Sequence, residues 1–209
     1  WAVSISNLTA SVKNRIANNL FTDAQPNAGR ALIIAGTNAG VLLNGVIEDN
    51  CVYDWPTESV RVLAHPGTDL RNIRMRDNML QRPSSSGAFL IEVRDFNVNP
   101  SALGGQLTFS GNRYFSGASA NSWFKDLGNS MSVSDWMSAA AESGATGQAL
   151  ALPDATRTIE SYNASMGGAP TIAAFLAEAR RQSRANWRSA YSAEAVNDWM
   201  RAGFGMSND

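Results

Sequence analysis

Cysteine occurs once, at Cys51, and histidine once, at His65, in a chain of 209 residues. A single thiol excludes an internal disulfide framework and a cysteine-based zinc site, and a single imidazole excludes every multi-histidine metal centre. Lysine is almost as scarce: Lys13 and Lys125 are the two lysines among 17 cations, and arginine supplies the rest. Against 18 carboxylates these leave a net charge of −1. That balance lacks the basic excess that holds nucleic acid by bulk electrostatics, so no nucleic-acid partner is expected. No apolar run approaches the ~20 residues of a membrane-spanning helix, and the chain is not read as membrane-embedded. With 44% hydrophobic and 17% charged residues it is composed to fold. The opening Trp1-Ala2-Val3-Ser4-Ile5 shows neither an initiator Met nor a signal-peptide pattern and reads as a strand interior. The expectation is a mature fragment, or the C-terminal part of something longer.

What the sequence does contain is repetition. Ile16-Ala17-Asn18-Asn19-Leu20-Phe21, Ile47-Glu48-Asp49-Asn50-Cys51-Val52, Met75-Arg76-Asp77-Asn78-Met79-Leu80 and Phe109-Ser110-Gly111-Asn112-Arg113-Tyr114 share one pattern. Each reads apolar, any, Asn/Asp/Gly, Asn, any, apolar. The asparagines Asn19, Asn50, Asn78 and Asn112 are 31, 28 and 34 residues apart. Asn, Asp and Gly tolerate left-handed backbone, so each pair marks a sharp bend between two short strands. Further apolar runs fall between the bends at Ala31–Ala35, Val60–Ala64 and Ala88–Val93. Three short strands in a period of about thirty residues suit a stack whose successive turns hydrogen-bond to one another. The bend asparagines are then expected to bond in series, each to the next turn. A leucine-rich repeat has a shorter period and needs a leucine scaffold that is absent.

On the bend pairs Asn18-Asn19, Asp49-Asn50, Asp77-Asn78 and Gly111-Asn112, the chain resembles the right-handed parallel β-helix proteins of the pectate-lyase-like superfamily. The resemblance covers roughly residues 1–127. It implies a mainly β fold, a right-handed parallel β-helix followed by a small α-helical C-terminal subdomain. It also implies a secreted, periplasmic or cell-surface location. The family contains polysaccharide lyases, hydrolases and epimerases as well as non-catalytic surface and assembly proteins, so it does not decide activity.

From Trp123 the pattern changes. Ser132-Val133-Ser134-Asp135 reads as a capping box opening a helix through Trp136, Ala139 and Ala140 to near Gly144. Residues 128–150 are taken as this capping helix and a linker, with Trp123, Phe124 and Trp136 covering the last turn of the stack. Residues 151–209 are helical by periodicity and expected to dock on the β-helix. Pro153-Asp154 opens one helix with Ile159, Tyr162 and Met166 on one face, closed by Gly167-Gly168. Thr171 caps a second, with Ile172, Phe175, Leu176 and Ala179 on its apolar face. Ser192 caps a third carrying Val196, Trp199 and Met200, stopped by Gly203. The series Arg157, Tyr162, Phe175-Leu176, Arg180, Trp187, Trp199, Gly203-Phe204 is distinctive but suggests no chemistry by itself.

The resemblance implies a substrate groove along one sheet, and the middle strands are the candidates for it. If Val60, Val62 and Ala64 point inward, alternation places Arg61, Leu63 and His65 outward; on the next turn Leu90, Glu92 and Arg94 fall outward. Turns about 4.8 Å apart bring Arg61, His65, Glu92 and Arg94 into one patch. Such a patch suits an acidic polysaccharide or cell-surface glycan: arginine neutralises a uronate carboxylate and a base removes the adjacent proton. The loop Asp54-Trp55-Pro56-Thr57-Glu58 adds Trp55 as a stacking ring and Asp54 and Glu58 as polar contacts. Against this stand an inter-turn ion pair of Arg61 with Glu92, Trp55 as a loop anchor, and His65 as a simple turn residue before Pro66. No lysine is expected on the patch, and the preceding turn (Leu32, Ile33, Ile34) is apolar there, as though something covers it.

Arg74, Arg76 and Glu48 fall on outward positions of another sheet, and Cys51 is read as a packed thiol. No cofactor is expected. No EF-hand spacing appears, although the acidic loop from Asp49 to Asp54 leaves Ca2+ open. Gly36-Thr37-Asn38-Ala39-Gly40 lacks the lysine of a phosphate loop, and there is no Gly-x-Ser-x-Gly elbow. Two readings follow. The first is part of a carbohydrate-active β-helix protein engaging an acidic polysaccharide, lyase-like if an enzyme, with catalytic groups on this patch or upstream of Trp1. The second is a non-catalytic structural or surface-assembly protein, its β-helix a rigid scaffold and its helical tail a docking module. In both, upstream sequence or a second chain is expected to cover the N-terminal turn.

Overall fold

A computed structural model of the chain describes residues 2–6, 14–22, 29–36, 44–64, 72–84, 88–95 and 107–206. The chain divides into two compact units, Trp1–Leu150 and Ala151–Asp209. His65 lies outside the described residues.

The first unit is mainly β. Its strands, numbered β1 to β14 in chain order, visit three sheets in strict rotation. The first sheet holds β1 (Val3–Ser6), β4 (Leu32–Gly36), β7 (Val60–Ala64), β10 (Ile91–Asp95) and β13 (Phe124–Asp126), all parallel, with β14 (Asn129–Met131) antiparallel at its edge. The second holds β2 (Asn14–Ala17), β5 (Gly45–Glu48), β8 (Ile73–Arg76) and β11 (Leu107–Ser110); the third β3 (Leu20–Phe21), β6 (Cys51–Tyr53), β9 (Met79–Arg82) and β12 (Arg113–Ser116), again all parallel. Apolar side chains from all three sheets, among them Leu32, Val62, Ile47, Met75, Val52 and Leu80, form one buried cluster. In β8 the alternation is plain: Ile73 and Met75 are buried, Arg74 and Arg76 exposed. All of β4 is buried, as a continuous apolar run requires of a strand covered on both faces.

The bends between the second and third sheets are where the repeat does its work. Asn18, Asp49, Asp77 and Gly111 all have positive φ, between 54° and 64°. A Cβ at Gly111 would sit 2.4 Å from Asp77 Oδ1, so a side chain there would have to push the Asp77 carboxylate aside. The following asparagines bond in series. Asn19 Nδ2 donates to Asn50 Oδ1 (2.9 Å), Asn50 Nδ2 to Asn78 Oδ1 (3.0 Å), and Asn78 Nδ2 to Asn112 Oδ1 (2.9 Å). Asn112 Nδ2 then donates to Glu142 Oε1 at 2.7 Å.

That last bond explains a departure from the sequence expectation. The capping-box helix α1 (Val133–Ala139) opens on Ser132 and Asp135, but ends at Ala140 rather than near Gly144. Ala141 turns left-handed (φ 48°), and the chain re-enters the stack. Gly111 N–H donates to Ser143 O, and Thr146 N–H to Asn112 O. Trp123, Phe124 and Trp136 are all buried, with Trp136 stacked on Phe124 (4.8 Å) and edge-on to Phe109 (5.1 Å).

The second unit holds α2 (Ile159–Ser165), α3 (Ile172–Arg180) and α4 (Ala193–Gly203). Helix α2 starts five residues after Asp154, because the Asp154 carboxylate is held by Thr156 in a turn and Thr158 with Ser161 forms the capping box instead. Helix α4 runs through Gly203; the left-handed stop is Gly205 (φ 68°). Gly203 is glycine for another reason: a Cβ would lie 2.5 Å from the Asp154 carbonyl oxygen, where the two backbones meet and Asp154 N–H donates to Gly203 O. The expected apolar face of α3 is buried only at Phe175, while Ile172 and Leu176 are 44% and 39% exposed.

Candidate functional site

Parallel register sets Ile33, Arg61, Glu92 and Lys125 side by side across β4, β7, β10 and β13. The expected patch therefore assembles, but as a buried network. Arg61 Nη2 lies 2.5 Å from Glu92 Oε2 and 2.6 Å from Glu58 Oε1. Arg30 Nε reaches Glu58 Oε2 at 2.8 Å, Arg94 Nε reaches Glu92 Oε1 at 2.9 Å, and Lys125 Nζ stands 3.8 Å from the same oxygen. Arg61 is 7% and Glu92 1% exposed. The Arg61–Glu92 contact is the ion pair between strands that the sequence allowed for, yet it lies in the interior rather than on the surface.

Electrostatics hold this arrangement. Burial alone would raise the Glu58 carboxyl, but its backbone N–H and the positive charges of Arg61 and Arg30 outweigh it and keep the group below its ordinary value. Glu58 is thus an ionised anchor, not a base waiting for a proton. Removing either partner of such a pair leaves an uncompensated charge in the interior.

The loop residues divide. Trp55 is 8% exposed within the core cluster, and its indole N–H donates to the Gly29 carbonyl at 2.5 Å. It is the loop anchor, with no ring face open for stacking on a sugar. Asp54 is exposed in a left-handed bend (φ 45°) and accepts from Ser84 N–H at 3.4 Å. Among the described members of the expected patch, Arg94 is the exposed one, its side chain 51% accessible.

Lys125 corrects the expectation that no lysine approaches this patch. The signal was present: Trp123-Phe124-Lys125-Asp126 repeats the spacing of Leu90-Ile91-Glu92-Val93, with Phe124 in the register of Ile91. Taking Trp123 and Phe124 as residues that cover the last turn hid a fifth parallel strand. Glu142 was missed because it has no place in the repeat pattern. Its carboxylate accepts from Asn112 Nδ2, from the Tyr114 hydroxyl (3.0 Å) and from Trp136 Nε1 (3.2 Å), with burial pushing it above its ordinary value against those donors.

A second charge cluster lies on the outward face of the second sheet. Glu48, itself buried, takes Arg15 Nε at 2.5 Å on one oxygen and Arg76 on the other, and these hydrogen bonds hold its carboxyl low. Arg76 is therefore committed to a tie between strands. Burial pushes the Cys51 thiol up to about 12, so it is packed and unreactive at neutral pH. Among the described residues no group of three or more His, Cys, Asp or Glu side chains is placed to hold a metal ion. Among them, too, no helix is long and apolar enough to cross a membrane.

In the helical unit, the distinctive series splits in two. Arg157 stacks on Trp199 (4.6 Å) and donates to its carbonyl, and Tyr162 packs between Trp199 (5.3 Å) and Phe175 (6.2 Å). These residues build the core of the unit. Leu176, Arg180 and Trp187 remain exposed, Trp187 at 65%. A concavity of about 400 Å³ lies between α2 and α3, lined by Asn163, Gly168, Ala174, Ala177, Glu178 and Tyr191 among others.

No protein-family model, curated protein or solved structure matches the chain significantly.

Proposed function

We propose that the chain is a non-catalytic structural or surface-assembly module, its three parallel sheets wound as a right-handed β-helix that acts as a rigid scaffold and its helical unit serving as the docking element. The rotation of strands through three sheets, the single shared core and the asparagine series support the winding. One observation carries the functional reading: two of the groups that a polysaccharide-cleaving site on this patch would need free, Arg61 and Glu92, neutralise each other in the interior. Arg61 is held by Glu58 and Glu92, both low in exposure, while large exposed apolar side chains (Ile172, Leu176, Trp187) cluster in the helical unit's sequence. A uronate could reach Arg61 only by displacing it from the buried Glu92 and the half-buried Glu58.

Engagement of an acidic polysaccharide remains as the second reading, and one observation favours it. Arg30, Arg61, Arg94 and Lys125 outnumber Glu58 and Glu92 in the network, and Arg94 and Lys125 are its accessible end. Binding there would be non-catalytic and salt-sensitive.

Incubation with polygalacturonate and with alginate, read by the ultraviolet absorbance of unsaturated uronate, separates the readings. The expected result is no product. Product that disappears in Glu92→Gln would overturn the scaffold reading. Retardation of the native chain in gels cast with either polymer, lost in the Arg94→Ala/Lys125→Ala double variant, would establish the second reading.

A further inference from the structure

Among the described residues of the helical unit, the charged side chains without a partner are sorted by sign. On α3, Glu178 takes Arg181 at 2.7 Å and Arg188 at 2.8 Å. Arg180 and Arg184 are exposed and have no ion-pair or hydrogen-bond partner among those residues. On α4, Glu194 and Asp198 stand at i and i+4, on one face, and neither has a partner there either. Arg201, three residues on, makes no ion pair with Asp198. Like charges at that spacing repel, a small cost that the unit leaves unrelieved. The two helices bury other faces: Tyr162 of α2 packs on Phe175 of α3 (6.2 Å) and on Trp199 of α4 (5.3 Å).

The basic edge is built to project. Helix α3 ends at Arg180, and Ser183 and Asn186 then close a tight turn, Asn186 N–H donating to Ser183 O at 3.0 Å. The turn is pinned at its base, where Arg188 N–H donates to Gln182 Oε1 (2.7 Å) and Arg188 Nη2 to Glu178 Oε2 (2.8 Å). Every residue from Ser183 to Trp187 is exposed, Trp187 at 65%. Tryptophan and arginine are the side chains that most often carry the energy of protein interfaces. A ring held out on a pinned turn loses little freedom on docking. Ile172 and Leu176 add exposed apolar surface on α3 itself.

We infer that this edge docks on a second copy of the same chain, head to tail, with Arg180, Arg184 and Trp187 of one copy meeting Glu194 and Asp198 of the next. The occupant follows from charge complementarity: α4 carries unpaired carboxylates, and the α3 edge carries the unpaired cations that match them. The contact joins two different patches, so each copy offers both and the assembly extends beyond a dimer. Exposed ion pairs contribute little alone; charge sets the register here and Trp187 supplies the anchor. The inference rests on the helical unit being a docking element and names its partner. Its failure leaves docking on a different polypeptide standing. Unsaturated product from uronate polymers would overturn the scaffold reading and leave the association result untouched.

The test is sedimentation velocity of the intact chain over a rising concentration series, in low and in high salt. The expected mass grows past that of one chain with concentration and falls back in high salt. Arg180→Glu/Arg184→Glu and Glu194→Arg/Asp198→Arg should each sediment as single chains. An equimolar mixture of the two should regain the native behaviour, because each reversed patch then meets its opposite. Trp187→Ala should raise the dissociation constant at least about tenfold. Should Glu194→Arg/Asp198→Arg lose helical circular dichroism, Asp198→Arg alone takes its place, since Glu194 lies in the first turn, where a carboxylate favours the helix. A native chain that stays single throughout, association unchanged in any folded variant, or a mixture that stays single would each overturn the inference.

Discussion

The two ends of the asparagine series are built from the same backbone and finished by opposite means. At one end Asn112 hands its hydrogen to Glu142, which also collects the Tyr114 hydroxyl and the Trp136 indole, and Trp136 stacks on Phe124 above the core. At the other, Asn19 is exposed, its Nδ2 donating to Asn50 Oδ1 and to its own Ala17 carbonyl. Closure by a buried acid with neutral donors is expensive to disturb and is coupled to pH. The open end costs little to change. A repeated motif therefore specifies the rungs, while the stability of each rung depends on what lies on either side of it.

Trp136→Ala should break the comparison most severely. It opens a cavity beneath Phe109 and Phe124 and removes a donor from Glu142, and a loss of about 3–5 kcal/mol is expected in urea unfolding followed by β circular dichroism. Next comes the contrast within the series. Asn78→Ala strands the donors and acceptors of two neighbouring buried rungs, worth about 2–4 kcal/mol, whereas Asn19→Ala should cost less than ~1 kcal/mol because water replaces its outward partner. Equal losses at the two positions would mean that burial does not set the strength of a rung.

The smallest effect is a pH dependence that sharpens the difference between acids. Burial raises the folded-state Glu142 carboxyl above its ordinary 4.5, so the folded chain holds that proton more tightly than the unfolded one. Its contribution to stability is full below about pH 4.5 and lost as pH rises through the raised value. Glu142→Gln should flatten that decline in urea midpoints measured from acid to neutral pH. Glu48, held low by its hydrogen bonds to Arg15 and Arg76, runs the other way: its contribution is present above its ordinary value and lost as pH falls. Glu48→Gln should therefore weaken the chain at neutral pH more than in acid.

Much of the first unit was legible because the period is carried by residues with local reasons to be there. Asn18, Asp49, Asp77 and Gly111 are the few residue types that adopt positive φ cheaply, and the apolar residues flanking each bend had to alternate to reach a shared core. Helix starts at Ser132, Thr171 and Ser192 were legible for the same reason, since a cap is a bond within four residues. The start of α2 was misplaced because Pro153-Asp154 and Thr158-Ser161 both look like beginnings, and the Thr156 side chain, by engaging Asp154, decides between them.

The candidate site was legible in membership and not in environment. Arg61, Glu92 and Arg94 share a face by strand parity alone, and the structure brings Arg61 and Glu92 together, with Arg94 on the same carboxylate. Alternation along a strand gives the face on which a side chain stands. Whether that face meets water depends on chain packed over it from elsewhere in the sequence, so Arg61, Glu92 and Trp55 proved interior. Lys125 reached Glu92 through a strand pairing 33 residues distant.

What the sequence determined by itself is the repeat: the bends, their asparagines, the alternation and the helix caps, each governed by interactions within a few residues. What only the tertiary structure decided is the fate of each repeated group. Asn19 and Asn78 occupy the same place in the motif, and one is solvated while the other is buried with every amide atom in use. Glu142 has no place in the motif and completes it, because a chain turning back after a short helix can deliver an oxygen where the next asparagine would have stood.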